Sequence, residues 1–153
     1  MVASPLAALV GRWRGEGHGE YPTMDSFAYE EEIFFTDHGV PFLVFRQPAW
    51  SPADGEALHI ETGIWRCDES GTMAVTIALP RVSEVSEGTI AGDRIELTST
   101  SVRRAAGGAG LVDVRRMYRL TEEGISYEVA MATEGVPDLT LHLRGTLHKV
   151  DEA

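Results

Sequence analysis

About ten times along this chain, a short run of alternating apolar and polar residues is cut off by a turn signal. The runs are Trp13 to His18, Ser26 to Thr36, Pro41 to Trp50, Ala57 to Cys67 and Met73 to Leu79, then Val82 to Ile90, Arg94 to Thr100, Val112 to Leu120, Ile125 to Ala132 and Leu139 to Val150. They are rich in Val, Ile, Thr, Phe and Tyr, which suit a pleated, half-buried surface. Asp54-Gly55, Ser70-Gly71, Ala91-Gly92-Asp93 and Glu123-Gly124 supply turn chemistry at the joints. Only Pro5 to Val10 reads as helical, a single short piece that could cap one end. Arg104 to Gly110, with its three glycines, reads as the most flexible loop. Hairpin follows hairpin with no long crossover. The expected fold is therefore an all-β, antiparallel up-and-down barrel, wide enough to hold a small ligand inside or at its mouth.

Residues 1–153 fit one domain, and at 43% hydrophobic the chain can bury a core. No run approaches the roughly 20 apolar residues that span a bilayer. Met1 to Pro5 lacks the basic start and long apolar stretch of a signal peptide, so a cytoplasmic location is expected. A formal net charge of -11 repels phosphate backbones and anionic lipids, which argues against nucleic-acid and membrane-surface roles. The single Cys67 excludes an internal disulfide and any multi-cysteine metal site.

Most constellations that carry chemistry are missing. None of His18, His38, His59, His142 and His148 forms a helical His-Glu-x-x-His pair, and His142 and His148 lie roughly 20 Å apart along one strand. His59-Ile60-Glu61 lacks the Pro-Cys-x-x-Cys partner of a zinc deaminase. No nucleophile elbow, phosphate loop or dinucleotide fingerprint occurs. The run Glu30-Glu31-Glu32 reads as solvent-facing charge that discourages edge pairing. Arg103-Arg104 and Arg115-Arg116 read as surface charge, or as forks for a ligand carboxylate at the mouth.

The segment Gly11-Arg12-Trp13-Arg14-Gly15-Glu16-Gly17-His18-Gly19-Glu20-Tyr21-Pro22-Thr23 is unusual, because alternating glycines weaken a strand unless something must approach it closely. Trp13 among Gly11, Gly15 and Gly17 suggests a barrel base plugged by an indole. This motif resembles that of the nitrobindin family, haem-binding β-barrels shaped like the fatty-acid-binding proteins among the calycins. The resemblance covers nearly the whole chain. It extends to Phe27-Ala28-Tyr29-Glu30-Glu31-Glu32, Gly39-Val40-Pro41-Phe42-Leu43, Leu58-His59-Ile60-Glu61-Thr62-Gly63, Met131-Ala132-Thr133, His142-Leu143 and Lys149-Val150. It implies a ferric haem b protein that binds nitric oxide and isomerises peroxynitrite to nitrate. Its expected partners are those small molecules, with a homodimer as the one macromolecular option.

By the same resemblance His142 falls at the axial haem ligand, and Thr23, Met131 and His59 at positions lining the haem site. The interval from Pro137 to His142 is one step longer than in the family, which points to an extra residue in the turn before the last strand. Alternation alone turns Leu139, Leu141, Leu143 and Leu147 inward and His142 toward solvent. A β-bulge near the start of that strand would re-aim it. Ile125, Tyr127, Val129 and Met131 should face inward, with Met131 at the strand end. No second histidine is obviously placed opposite, so the expected iron is five-coordinate with an open or water-occupied position. Two other readings stand beside this one. The first is a haem-free carrier of a fatty acid or similar apolar ligand, with Arg116 and Tyr118 as candidates for a carboxylate clamp although expected on alternating faces. The second is an interaction module with a filled core.

Overall fold

The computed structural model describes residues 5–107 and 110–150. Ten antiparallel strands follow a 3₁₀ turn at Pro5–Leu9. They are β1 (Gly11–Tyr21), β2 (Met24–Asp37), β3 (Leu43–Trp50), β4 (Ala57–Cys67), β5 (Thr72–Leu79), β6 (Val82–Ala91), β7 (Arg94–Arg104), β8 (Leu111–Leu120), β9 (Ile125–Thr133) and β10 (Val136–Lys149). Each strand pairs with the next, and β10 returns to β1, closing the barrel. The expected up-and-down barrel is the observed one. The glycine-rich loop expected at Arg104 to Gly110 falls partly on residues 108–109, outside the described residues, while Arg104 itself ends β7.

The barrel has a filled end and an open end. At the filled end Leu6 and Leu9 are buried beside Trp13, whose indole Nε1–H donates to the Leu9 carbonyl at 2.8 Å. The Lys149 ammonium lies 5.5 Å from the indole ring. Phe35, Phe45 and Trp65 meet in the middle of this end with ring centroids 5.0 to 5.4 Å apart, packed against Val75, Ile95 and Leu147. Trp13 is thus the plug its motif suggests, buried and hydrogen-bonded.

The glycines of β1 serve close approach. Gly17 pairs with Tyr29 on β2 and with Gly145 on β10, and Gly145 pairs with Tyr127 on β9. A Cβ on Gly17 would collide with the Tyr29 ring, and one on Gly145 would stand 2.6 Å from the Tyr127 ring. The two tyrosines therefore fold inward over the two glycines, and their hydroxyls meet at 2.5 Å. This row of four residues, running across four strands, marks the level where the apolar plug ends.

Candidate functional site: a cavity with a polar floor

Above the tyrosine row the barrel opens into a cavity of about 630 Å³. Its walls are largely apolar, with Phe27, Leu58, Leu79, Val129, Met131 and Leu143 among them. That volume and that character are those of a ligand or cofactor pocket.

His142 faces this cavity. On β10, Leu141 pairs with Ala130 and Leu143 with Val129, so His142 is an extra residue with no partner on β9. This is the bulge that alternation alone could not show. It reverses the faces above it: Leu139 is 42% exposed and Thr140 sits opposite the inward-facing Met131. The expectation that all four leucines turn inward therefore fails for Leu139 and for Leu141, which pairs with the outward-facing Ala130. The extra residue was expected in the turn, yet that turn is only Glu134-Gly135, and the added length lies within the strand.

The His142 ring stacks edge-on to Tyr21 at 5.5 Å and to Phe27 at 6.4 Å. Its Nδ1 lies 3.1 Å from the Glu20 carbonyl oxygen. A carbonyl only accepts, so Nδ1 carries the proton and Nε2 keeps its lone pair. Burial lowers the His142 pKa, against the Glu20 hydrogen bond and with help from His59, and so favours the neutral ring. A neutral imidazole oriented through one nitrogen with the other free is what metal ligation requires. Among the described residues no group of three or more His, Cys, Asp or Glu could hold a bare ion. Iron already carried in a porphyrin fits this donor set, because it needs only one axial nitrogen.

The other expected site residues are placed as follows. Met131 lines the cavity and its carbonyl accepts from the Tyr21 hydroxyl at 3.1 Å. His59 also lines the cavity, and its Nε2 lies 3.4 Å from Glu61 Oε2. Thr23 is exposed in the β1–β2 turn and does not line the cavity, although its neighbour Met24 does.

The floor of the cavity is a buried layer of charge, and it includes Glu31 and Arg116, contrary to the expectation of surface charge at both. Glu31 is 1% exposed and points inward with Tyr29 and Ile33, while its neighbours Glu30 and Glu32 stay on the outside with Arg14 and Arg12. Glu31 Oε2 accepts from Tyr127 at 2.7 Å and from the Gln47 amide at 3.1 Å. Burial pushes the Glu31 carboxyl up to about 7, despite those two bonds. Arg116 is likewise buried, not a surface charge. Its Nε and Nη2 donate to the two oxygens of Glu84 at 3.0 and 2.8 Å, and its Nη1 donates to Glu61 at 2.8 Å. Burial alone would raise the Glu61 carboxyl, but the Arg116 charge and the His59 and Arg116 hydrogen bonds hold it at about 2. Two carboxyl groups therefore already pair with one guanidinium. Arg116 and Tyr118 lie on the same inner face, correcting the expectation of alternating faces, yet the cation a ligand carboxylate would need is already paired. The signal was available: Tyr29, Glu31, Ile33 and Phe35 share one parity, as do Val114, Arg116 and Tyr118.

A family model described as a THAP4-like, heme-binding beta-barrel domain matches residues 2–149. The chain belongs to this family. Its relatives include a peroxynitrite isomerase of Nocardia farcinica, 37% identical over 149 residues, covering 94% of this chain and 88% of that protein. Peroxynitrite isomerase 1 of Mycobacterium tuberculosis is 38% identical over 154 residues, covering 94% and 92%. The crystal structure of Rv2717c from M. tuberculosis superposes with a TM-score of 0.88 at 34% identity, over 99% of this chain and 100% of that one. The haem-binding β-barrel family thus accounts for both the closed ten-strand barrel and the cavity at its open end.

Proposed function

We propose that this barrel binds haem b through His142 Nε2 and isomerises peroxynitrite to nitrate. The observation that carries the proposal is the β10 bulge, which turns His142 into the cavity while the Glu20 carbonyl fixes its tautomer. Relatives of the chain along nearly its full length are named for that activity. Ferric haem bound there supplies Lewis acidity toward a peroxo oxygen, so that a rearrangement needs no net transfer of electrons.

The chain's own residues supply the rest. Tyr21 and Phe27 hold the imidazole edge-on and limit its rotation. Met131, Val129 and Leu143 give the pocket an apolar wall that excludes water. His59, tethered to Glu61, places a second imidazole on the cavity where an entering anion would meet it. Nitric oxide, a small neutral diatomic, is a second ligand for the same pocket. The already paired Arg116 disfavours the fatty-acid carrier, which needs an unpaired cation for its ligand's carboxylate. The net charge of -11 and the lone Cys67 support action in the cytoplasm, away from nucleic acids and anionic membranes.

The test is haem titration of the wild type, His142→Ala and His148→Ala, followed by absorption spectroscopy and peroxynitrite decay. Loss of the ligated spectrum and of the activity in His142→Ala alone is expected. An unchanged spectrum in His142→Ala would overturn the assignment.

A further inference from the structure

The tyrosine row at the cavity floor is not among the residues assigned to haem above, and its hydrogen bonds are asymmetric. Tyr127 has one hydroxyl proton, and Glu31 Oε2, 2.7 Å away, can only accept it when ionised. The 2.5 Å contact between the Tyr29 and Tyr127 hydroxyls must then have Tyr29 as its donor. The Tyr127 oxygen therefore receives a hydrogen bond from one side and faces a buried carboxylate on the other. Losing an electron turns a phenol into a strong acid. In a low-dielectric interior the resulting positive charge is tolerable only if the proton leaves with the electron.

The other buried aromatic groups lack such a base. The Trp65 Nε1–H is buried with no acceptor among the described residues. Tyr118 lies against the Arg116 cation, whose charge opposes removal of an electron. Tyr21 donates to the Met131 carbonyl, a far weaker base than a carboxylate. Tyr127 also lines the cavity, so a small neutral molecule entering from the mouth can reach it.

We propose that Tyr127, with Glu31 as its proton acceptor, is a one-electron oxidation site that traps small neutral radical oxidants such as nitrogen dioxide within the cavity. The step balances. Nitrogen dioxide gains one electron and leaves as nitrite, the phenolic O–H bond breaks, and the proton moves to Glu31 Oε2. Tyr127 is left as a neutral phenoxyl radical that keeps the hydrogen bond from Tyr29. Nitrogen dioxide arises when the O–O bond of peroxynitrous acid breaks homolytically. The biological source of the oxidant thus rests on the proposed substrate, whereas the chemistry at Tyr127 does not.

The experiment generates nitrogen dioxide by pulse radiolysis in solutions of the full chain, haem-loaded and haem-free. Phenoxyl formation is followed by transient absorption and freeze-quench electron paramagnetic resonance. The radical is expected in the wild type and in Tyr118→Phe, and is expected to vanish in Tyr127→Phe, which keeps the ring. Glu31→Gln should slow its formation by about a hundredfold, the lower range for a positioned proton acceptor. In the wild type the rate should fall about tenfold per pH unit as Glu31 takes up its own proton. That fall begins near its pKa of about 7. Of the groups facing Glu31, Tyr29 on its own strand, Tyr127 on β9 and Tyr118 on β8 have raised pKa values and stay protonated there, Gln47 on β3 does not titrate, and Glu61 on β4 and Arg116 on β8 stay charged. An undiminished radical in Tyr127→Phe, a wild-type rate in Glu31→Gln or a flat pH profile would each overturn the proposal. The pH profile needs no variant, so a misfolded mutant cannot rescue it. A chain that forms the radical but binds no haem through His142 would instead overturn the haem reading alone.

Discussion

Replacing Glu31 by Gln isolates the cost of a single buried carboxyl. Its pKa is about 7 in the barrel, against an ordinary value of 4.5. The folded chain thus binds more protons than the unfolded chain between those two values. A raised folded pKa means stability that is fully present below the unfolded pKa and is lost as pH rises through the folded one. At 1.36 kcal/mol per unit, the loss between pH 4.5 and 7 comes to about 3 kcal/mol, after which the curve is flat. The amide in Glu31→Gln has no proton to lose, so this slope should be absent from the variant. That amide still offers an oxygen to Tyr127 and Gln47, but it buries an N–H₂ where Oε1 has no partner among the described residues. The cost is the same at every pH. Urea unfolding of both haem-free proteins from pH 4 to 8, read as the change with pH of the difference between them, removes it along with every other titrating group. Glu31→Gln should gain about 3 kcal/mol relative to the wild type across the interval. A difference that stays constant with pH would refute a buried Glu31 with a raised pKa.

The lowered pKa of Glu61, about 2, has the opposite sign. Its contribution is present above the ordinary 4.5 and is lost as pH falls toward 2, so haem-free wild type should be most stable near pH 4.5 if these two groups dominate. A stability maximum above pH 7 by the same urea series would contradict that. Arg116→Met strands Glu61 and Glu84 without their cation and should cost about 3–5 kcal/mol, whereas adding Glu61→Gln and Glu84→Gln should recover much of it. Trp13→Ala removes the plug and its bond to Leu9, for an expected loss of about 3–5 kcal/mol by thermal or urea unfolding. A fully stable mutant would mean that the indole is not structural. Gly17→Ala drives a methyl into the Tyr29 ring and should cost about 1–3 kcal/mol, with a changed near-ultraviolet circular dichroism of the tyrosines.

The barrel was legible because each strand is closed by its own turn and each inner face repeats every second residue. The site was legible only in part. Alternation reads the parity of a strand but cannot locate an inserted residue, so β10 argued against His142 until the register with β9 was known. Residue chemistry misled in the other direction at Glu31 and Arg116. Charged side chains are seldom fully buried unless paired, so both were assigned to the surface even though their neighbours at two-residue spacing point inward. Of their partners, Tyr127, Glu61 and Glu84 come from strands distant in sequence, and only Gln47 from the next strand. Pairing of the guanidinium is a property of the assembled layer, visible in no single run.

The pairing of β1 with β10 also bears on how the protein is made. These two strands come from opposite ends of the barrel sequence, so the seam cannot form until Val136–Lys149 has left the ribosome. Before that, the nascent chain is at most a nine-strand sheet with two open edges, β1 and β9, each offering unpaired backbone groups to other chains. The β1 edge must wait longest, and it is poorly suited to illicit pairing. Arg12, Arg14 and Glu16 put charge on one face, and on the other Gly15, Gly17 and Gly19 leave little apolar surface between Trp13 and Tyr21. The composition that lets two tyrosines fold over the finished wall therefore also shields the unfinished one during synthesis.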